Sequence, residues 1–348
     1  MSESAARSID RLALGEPPRP LIDAHDRAIT YLRLSVTDRC DLRCTYCMPE
    51  RMRFLPKSEL LSLEELATLA DGFIARGVTK IRITGGEPLV RRDVTTLITA
   101  LGKRIGDGLK ELTLTTNATR LTDHAEALAQ AGVRRVNVSL DTRDRARFAS
   151  LSRRDALPRV LDGIAAARAA GLRVKINTVA LKGVNEDELG DLAEWAHGEG
   201  HDITIIEVMP LGEVGEDRGA HYLPLDRVRA RLEERWTLQA SDHASGGPAR
   251  YVDVAETGGR IGFITPHTHN FCASCNRMRV TATGQLYPCL GDAGRIDCRA
   301  ALRSDAPARR LEEALDRAMA IKPSRHDFRL AAGEGGPALS RHMSVTGG

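Results

Sequence analysis

Short apolar runs alternate with helical patterns along the first two thirds of the chain. The strand-like runs are Tyr31–Val36, Lys80–Thr84, Glu111–Thr116, Arg135–Leu140, Arg173–Val179 and Asp202–Met209. Helical periodicity falls between them, at Ser62–Arg76, Asp93–Arg104, Thr122–Ala131, Ala156–Ala170 and Glu186–His197. Repeated β-α units predict a parallel sheet, open or closed. Six units are too few for a complete eight-stranded barrel.

The strands are two-faced. Leu32, Leu34 and Val36 alternate with Arg33 and Ser35, and Ile81 and Ile83 with Lys80, Arg82 and Thr84. Val136, Val138 and Leu140 oppose Arg135, Asn137 and Ser139, while Val174 and Ile176 oppose Lys175 and Asn177. A parallel sheet covered by helices on both sides would be apolar on both. Here one face suits helices and the other is polar and cationic. Several Lys and Arg in one lumen without matching acids would cost several kcal/mol each, so a bound polyanion is expected. Gly85-Gly86-Glu87-Pro88, Thr115-Thr116-Asn117 and Ser139-Leu140-Asp141 stand at strand ends, where barrel sites form.

Past Met209 the pattern changes. Leu211–Gly219 and Ser241–Pro248 read as loops, Leu225–Arg235 and Ala308–Ala320 as helices, and Arg260–Thr265 as a strand. Pro307 suits a helix start and Asp93 a helix cap. Arg143–Arg147 and Arg309-Arg310 read as solvated faces. The expected division is a flexible segment 1–22, a barrel region 23–215 and a C-terminal region 216–348 ending in a small, flexible tail.

Length changes this picture little: 348 residues accommodate a large α/β unit with an appendage. Hydrophobic residues make up 42% and charged residues 28%, which supports a sizeable core. The net charge of +3 gives no global case for nucleic acid. The first twenty residues lack the apolar stretch of a signal peptide, and no apolar run is long enough to span a membrane. A soluble cytoplasmic protein is expected.

The cysteines change it most. Cys40-Asp41-Leu42-Arg43-Cys44-Thr45-Tyr46-Cys47 places three thiols on one loop after the first strand. Clustered cysteines at this spacing mark an iron–sulfur cluster. Structural zinc wants four ligands, and no fourth Cys or His is near. Three thiolates leave one iron of a 4Fe–4S cluster open. S-adenosylmethionine (SAM) can chelate that iron through its amino and carboxylate groups, and an electron from the cluster then breaks the sulfonium bond. Glu87 beside the glycine pair could accept from the SAM ammonium. A second set, Cys272, Cys275 and Cys289, again offers three thiolates. Spacing favours a second cluster but leaves zinc open, with Cys298 as a candidate fourth ligand. His267 and His269 could also ligate. Arg277 and Arg279 alternate on one face of an extended segment and suit phosphate oxygens.

Together these segments resemble the GTP 3′,8-cyclase family of molybdenum cofactor biosynthesis. The resemblance runs from about residue 23 to the last residue. It is carried by Leu32-Arg33-Leu34-Ser35-Val36-Thr37-Asp38-Arg39-Cys40 with Cys44 and Cys47-Met48-Pro49. Lys80-Ile81-Arg82-Ile83-Thr84-Gly85-Gly86-Glu87-Pro88-Leu89, the stretch Phe271–Cys289 and the Gly347-Gly348 end add to it. It implies an α/β fold, an incomplete (β/α)6 TIM-like barrel closed by a C-terminal segment carrying a second 4Fe–4S cluster. It implies a radical SAM lyase that converts GTP to 3′,8-cyclo-7,8-dihydro-GTP: the adenosyl radical takes the ribose C3′ hydrogen, and C3′ then adds to guanine C8.

The same resemblance gives Cys40, Cys44 and Cys47 to the SAM cluster and Cys272, Cys275 and Cys289 to the second. Tyr46, Gly86, Ser139 and Met209 match SAM-contacting positions, beside Glu87. Arg33, Lys80, Arg82, Thr115, Lys175, Arg277 and Arg279 are the expected GTP contacts. Gly347 and Gly348 match a tail reaching the active site and, with Arg277 and Arg279, are the expected catalytic group. Implied partners are GTP, an electron donor and a downstream pterin-forming enzyme; a homodimer stays open, and no nucleic acid or membrane is expected. Thr204 stands where the family usually has Arg, Asp41 replaces a common Asn and Ala118 a common Gly. A radical SAM peptide maturase and a zinc-binding module without catalysis are the competing readings.

Overall fold

The computed structural model describes residues 20–347 apart from 216, 268–270, 327 and 329–337. Six β-α units build the frame. The strands are β1 (Tyr31–Ser35), β2 (Lys80–Thr84), β3 (Glu111–Thr116), β4 (Arg135–Ser139), β5 (Arg173–Ala180) and β6 (Asp202–Glu207). They pair in parallel in chain order, with α1 (Leu63–Ile74), α2 (Val94–Gly102), α3 (Leu121–Gln130), α4 (Arg145–Ser152), α5 (Leu157–Ala169) and α6 (Leu189–Gly198) in the connections. The outward strand positions Leu32, Leu34, Ile81, Ile83, Leu112, Leu114, Val136, Val138, Ile176, Ile203 and Ile205 are all buried in one core. Burying such side chains is the main favourable contribution, about 1.5–3 kcal/mol each.

Local chemistry sets the element ends. Ser62 accepts from the Glu65 N–H at 3.1 Å while the Glu65 carboxylate accepts from the Ser62 N–H at 2.7 Å, closing a capping box on α1. Asp93, expected to cap α2, instead takes a left-handed conformation (φ 58°) and makes no side-chain cap. The sequence hid α4: Arg145 and Arg147 at its start mask the buried Phe148 and Leu151, and Asp144 caps it through the Arg147 N–H.

The C-terminal region extends the same sheet from both edges. It contributes α7 (Leu225–Glu233), β7 (Leu238–Ala240), β8 (Arg250–Val254), β9 (Arg260–Ile264), β10 (Arg277–Val280), β11 (Gln285–Tyr287) and β12 (Ile296–Asp297). Then follow α8 (Cys298–Leu302), α9 (Pro307–Ala320) and α10 (Met343–Thr346). Among the described residues the strand order is β12-β11-β10-β1-β2-β3-β4-β5-β6-β9-β8-β7. β9 is parallel to β6, and β10 is parallel to β1. The chain between β9 and β10 must therefore pass from one side of the six-strand frame to the other, and it carries Cys272 and Cys275. The sheet is a partial barrel, not a closed one. Among the described residues no helix is long and apolar enough to cross a membrane.

Candidate active site

The loops after β1, β2, β3 and β4 meet as expected. One cavity at the carboxyl ends of the strands is lined by Cys40, Cys44, Cys47, Tyr46, Gly85, Gly86, Thr115, Asn117, Ser139, Asp141 and Met209. A second cavity is lined by Arg33, Arg82, Lys175, Arg277 and Arg279 together with Cys272, Cys275 and Cys289. Asn177, Ile206, Met209 and Met343 line both, so the two cavities share a wall. Each thiol set thus faces the same interior from its own side.

The cysteine loop is strapped to the barrel by side chains. Tyr46 donates its hydroxyl to Asp141 Oδ2 at 2.6 Å, and Asp141 Oδ1 accepts from the Val179 N–H at 2.8 Å. Burial pushes the Asp141 carboxyl up to about 6. Asp41 accepts from Asn117 Nδ2 at 2.8 Å and from the Thr119 hydroxyl at 2.6 Å, while the Asn117 amide also reaches Cys40 Sγ at 3.7 Å. Arg218 donates to the Tyr46 carbonyl at 3.0 Å and to the Gly212 carbonyl at 2.8 Å. Asp141, Asn117 and Asn177 carried no sequence signal of this role beyond their place at strand ends, and Arg218, in the connection after β6, carried none.

Gly86 sits where a side chain cannot. Its N–H donates to the Thr37 carbonyl at 2.9 Å, and an added Cβ would collide with the Arg39 carbonyl and lie 2.7 Å from the Asp38 carbonyl oxygen. The glycine pair lets the end of β2 lie directly against the lead-in to Cys40. Glu87 does something other than expected. It is fully buried behind the cavity wall, and its carboxylate accepts from the Leu89 N–H at 3.0 Å, the Thr116 hydroxyl at 2.9 Å and the Asn117 N–H at 2.6 Å. It fastens the β2 loop to the β3 loop. Burial still pushes its carboxyl up to about 7, above the Asn117, Leu89 and Thr116 bonds that favour the charged form.

The cationic wall is set by strand register. Arg33 on β1 pairs across to Arg82 on β2 on one side and to Arg279 on β10 on the other. Three guanidiniums therefore stand side by side, each under a tenth exposed. Like charges directly opposed on neighbouring strands are destabilising. Burial, with Arg82 and Arg277 nearby, lowers Arg33 to about 9, and Arg279 falls well below its usual range through burial, Arg33 and Arg277. Lys175 is likewise lowered, by burial and then by Arg82 and Arg135. It donates to the Tyr251 hydroxyl at 2.6 Å, which donates to Ser245 Oγ at 2.9 Å.

The lumen is not free of acids, however. Lys80 pairs with Glu111 at 2.7 Å, and Arg135 with the other oxygen of Glu111 at 2.7 Å. Lys80 also donates to the Ser245 carbonyl and lines neither of the two cavities. Thr115 lines the first cavity rather than the second. Gly347, with φ 74°, offers its carbonyl to Arg279 Nη1 at 2.5 Å; a Cβ there would collide with the Thr84 side chain. The expected flexible tail instead begins as α10, with Ser344 and Thr346 buried. Gly348 and His269 lie outside the described residues. His267 is already engaged, its backbone N–H donating to the Glu207 carboxylate and its ring bonded to the Val208 carbonyl. Cys298 is buried in the core against α9 and lines neither cavity.

The donor sets fit iron–sulfur ligation. Three thiols and no fourth Cys or His line the first cavity. His326 joins the second, yet among the described residues no three His, Cys, Asp or Glu side chains converge as a single ion demands. A cluster asks each thiolate for a different iron, so its ligands need not converge on one point. Arg82 Nε and Asn177 Oδ1, buried on residues that line the second cavity, lack partners among the described residues, as a cavity built for a polar guest requires.

The Radical SAM superfamily matches residues 34–196, and the Molybdenum Cofactor Synthesis C family matches residues 201–328. A protein of Erythrobacter litoralis named GTP 3′,8-cyclase is 71% identical over 94% of this chain and 98% of its own length. Proteins of the same name from Rhizobium etli and Rhizobium meliloti are 58% and 56% identical, covering 94% and 100% of the chain and of themselves. Among solved structures, Streptococcus suis SuiB bound to S-adenosylmethionine superposes with a TM-score of 0.60 at 16% identity, covering 99% of this chain and 81% of that one. Native anSMEcpe with bound AdoMet gives 0.54 at 15%, covering 82% and 83%; both show the shared fold. With relatives this similar over nearly the whole length and both family matches in order, the chain belongs to the GTP 3′,8-cyclase family, radical SAM enzymes of molybdenum cofactor biosynthesis.

Proposed function

We propose that GTP occupies the second cavity with its triphosphate on Arg33, Arg82, Arg279 and Lys175, its base toward Cys272, Cys275 and Cys289, and its ribose toward the wall shared with the first cavity. The observation that carries this reading is the row of three arginines in register on β10, β1 and β2. A polyanion converts that repulsion into charge-assisted hydrogen bonds. Arg277 stands beside the row with its guanidinium 5.0 Å from the Phe271 ring centre, which fixes its aim. Lys80, held by Glu111 and the Ser245 carbonyl, stays outside the nucleotide cavity, and Thr115 faces the SAM side.

Cys40, Cys44 and Cys47 would hold the cluster that binds SAM, with Tyr46, Gly86, Ser139 and Met209 around the cofactor. Bound there, cluster and SAM would supply radical hydrogen-abstraction chemistry directed at the ribose C3′. The chain's own residues position the reactants. Asp141 holds Tyr46, Gly86 permits close approach, and Met209 with Asn177 and Ile206 separates cofactor from nucleotide. Arg279 ties the Gly347 carbonyl into the chamber, so the C-terminal tail helps to exclude water. Thr204, standing where the family usually has arginine, is fully buried and lines neither cavity, which leaves the triphosphate to the three registered guanidiniums and Lys175. Residues 23–215 serve as the barrel region and 216–348 as the closing region. An external one-electron donor and a pterin-forming enzyme that takes the product complete the requirement.

The test is anaerobic reconstitution followed by incubation with GTP, SAM and a strong reductant. About eight irons per chain are expected from two four-iron clusters, with 5′-deoxyadenosine and a cyclised nucleotide formed together. Deoxyadenosine beside intact GTP would overturn the assignment of the second cavity.

A further inference from the structure

Lys322, two residues beyond α9, is only 2% exposed. Its ammonium donates to the Pro288 carbonyl at 2.6 Å, to the Arg277 carbonyl at 3.1 Å and to Cys275 Sγ at 3.7 Å. Those contacts use all three donors of a lysine. They also bridge the arms of the second cysteine set: Arg277 lies two residues after Cys275, and Pro288 immediately precedes Cys289. Among the described residues Lys322 forms no ion pair with a carboxylate. Its neighbour in this role, Arg27, differs. Arg27 donates to the Cys272 carbonyl at 2.8 Å and to the Pro323 and Ser324 carbonyls at 2.6 and 2.9 Å, but Asp23 neutralises it at 2.7 Å. Arg27 thus fixes both Cys272 and the segment that delivers Lys322.

A buried ammonium without a counter-charge costs several kcal/mol. Three thiolates around an iron–sulfur core carry net negative charge, and reduction adds more. We propose that Lys322 is the charge-compensating and positioning residue of the second iron–sulfur centre, clipping its cysteine arms together and favouring its more negative redox state. This rests on the reading that Cys272, Cys275 and Cys289 hold a cluster. Net charge and hydrogen bonds to sulfur are the levers a protein has on cluster potential, and Lys322 applies both at Cys275.

The experiment uses the full chain with Cys40, Cys44 and Cys47 all replaced by Ala, which isolates the second centre. Lys322→Met, Lys322→Gln and Lys322→Arg are made in it. Iron content and a redox titration followed by electron paramagnetic resonance are measured in each. The parent is expected to hold about four irons. At a fixed solution potential the ratio of reduced to oxidised centre should fall at least tenfold in the Met and Gln variants, about 59 mV for a one-electron couple. The Arg variant should stay close to the parent. Loss of iron in Met and Gln with retention in Arg equally supports a charge role. An unchanged ratio in Met and Gln, or iron lost from all three, would overturn the proposal. A parent without iron would instead refute the second-cluster reading, and the role of Lys322 with it.

Discussion

The two cysteine sets face one interior from opposite electrostatic surroundings. Around the first, burial raises all three thiols; Glu87 and Asp41 add to this at Cys40, and Asp141 at Cys44 and Cys47. Cys47 reaches about 11 even with Arg218 nearby. The second set is mixed: burial raises Cys289, whereas at Cys275 Arg277 and Lys322 outweigh burial and the thiol is lowered. Negative surroundings disfavour adding an electron, so a cluster held there is a strong reductant once reduced. Positive surroundings suit an anion. On the proposed reading one fold thus presents a reducing end and an anion-binding end, and Asn177, Ile206, Met209 and Met343 line both cavities.

The comparison breaks most visibly at the registered arginines. Arg82→Met should weaken GTP binding roughly 10- to 150-fold, the worth of a lost charged hydrogen bond. SAM affinity should stay unchanged, and the unliganded chain should gain roughly 0.5 kcal/mol or more from relief of like-charge opposition. Calorimetric titration and denaturant unfolding check both parts; equal losses for SAM and GTP would dissolve the distinction between the ends.

A smaller effect is expected at the other end. Gly86→Ala forces the β2 loop away from Arg39 and Asp38, an overpacking cost of about 1–3 kcal/mol. SAM affinity should fall about tenfold with GTP affinity preserved, measured by titration of each ligand separately. The smallest effect is a proton count. Burial and its cationic neighbours lower Lys175 in the free chain, whereas bound phosphates favour its charged form. GTP binding should therefore take up at most about one proton, and GTP affinity should fall as pH rises. Binding heats in buffers of different ionisation enthalpy report this uptake; heats independent of buffer would contradict it.

Much of this was legible in the sequence because period-two alternation sorts each strand's residues by face. Arg33, Arg82 and Lys175 could be placed in the lumen from that pattern alone, and the cysteine spacing singled out the two thiol sets that line the two cavities. Register was not legible. The pairing of Lys80 with Glu111 and the alignment of Arg279 beside Arg33 follow from which strands adjoin and how they are offset. Glu87 was misread because a carboxylate beside two glycines looks available, whereas the fold's own N–H groups consume it. Lys322 and Arg27 were invisible as isolated basic residues. Arg27 meets Cys272 across 245 positions and Lys322 meets Cys275 across 47, separations over which local patterns say nothing. The strands β7, β11 and β12 were missed because two or three residues are too few for alternation to show.

The most direct measurement of the central claim compares two variants, one with Cys40, Cys44 and Cys47 replaced by Ala and one with Cys272, Cys275 and Cys289 replaced by Ala. Iron, SAM binding and GTP binding are determined in each after anaerobic reconstitution. The account predicts about four irons in both, with SAM binding lost only from the first variant and GTP binding weakened only in the second. Loss of both ligands from either variant alone, with the other unaffected, would contradict it.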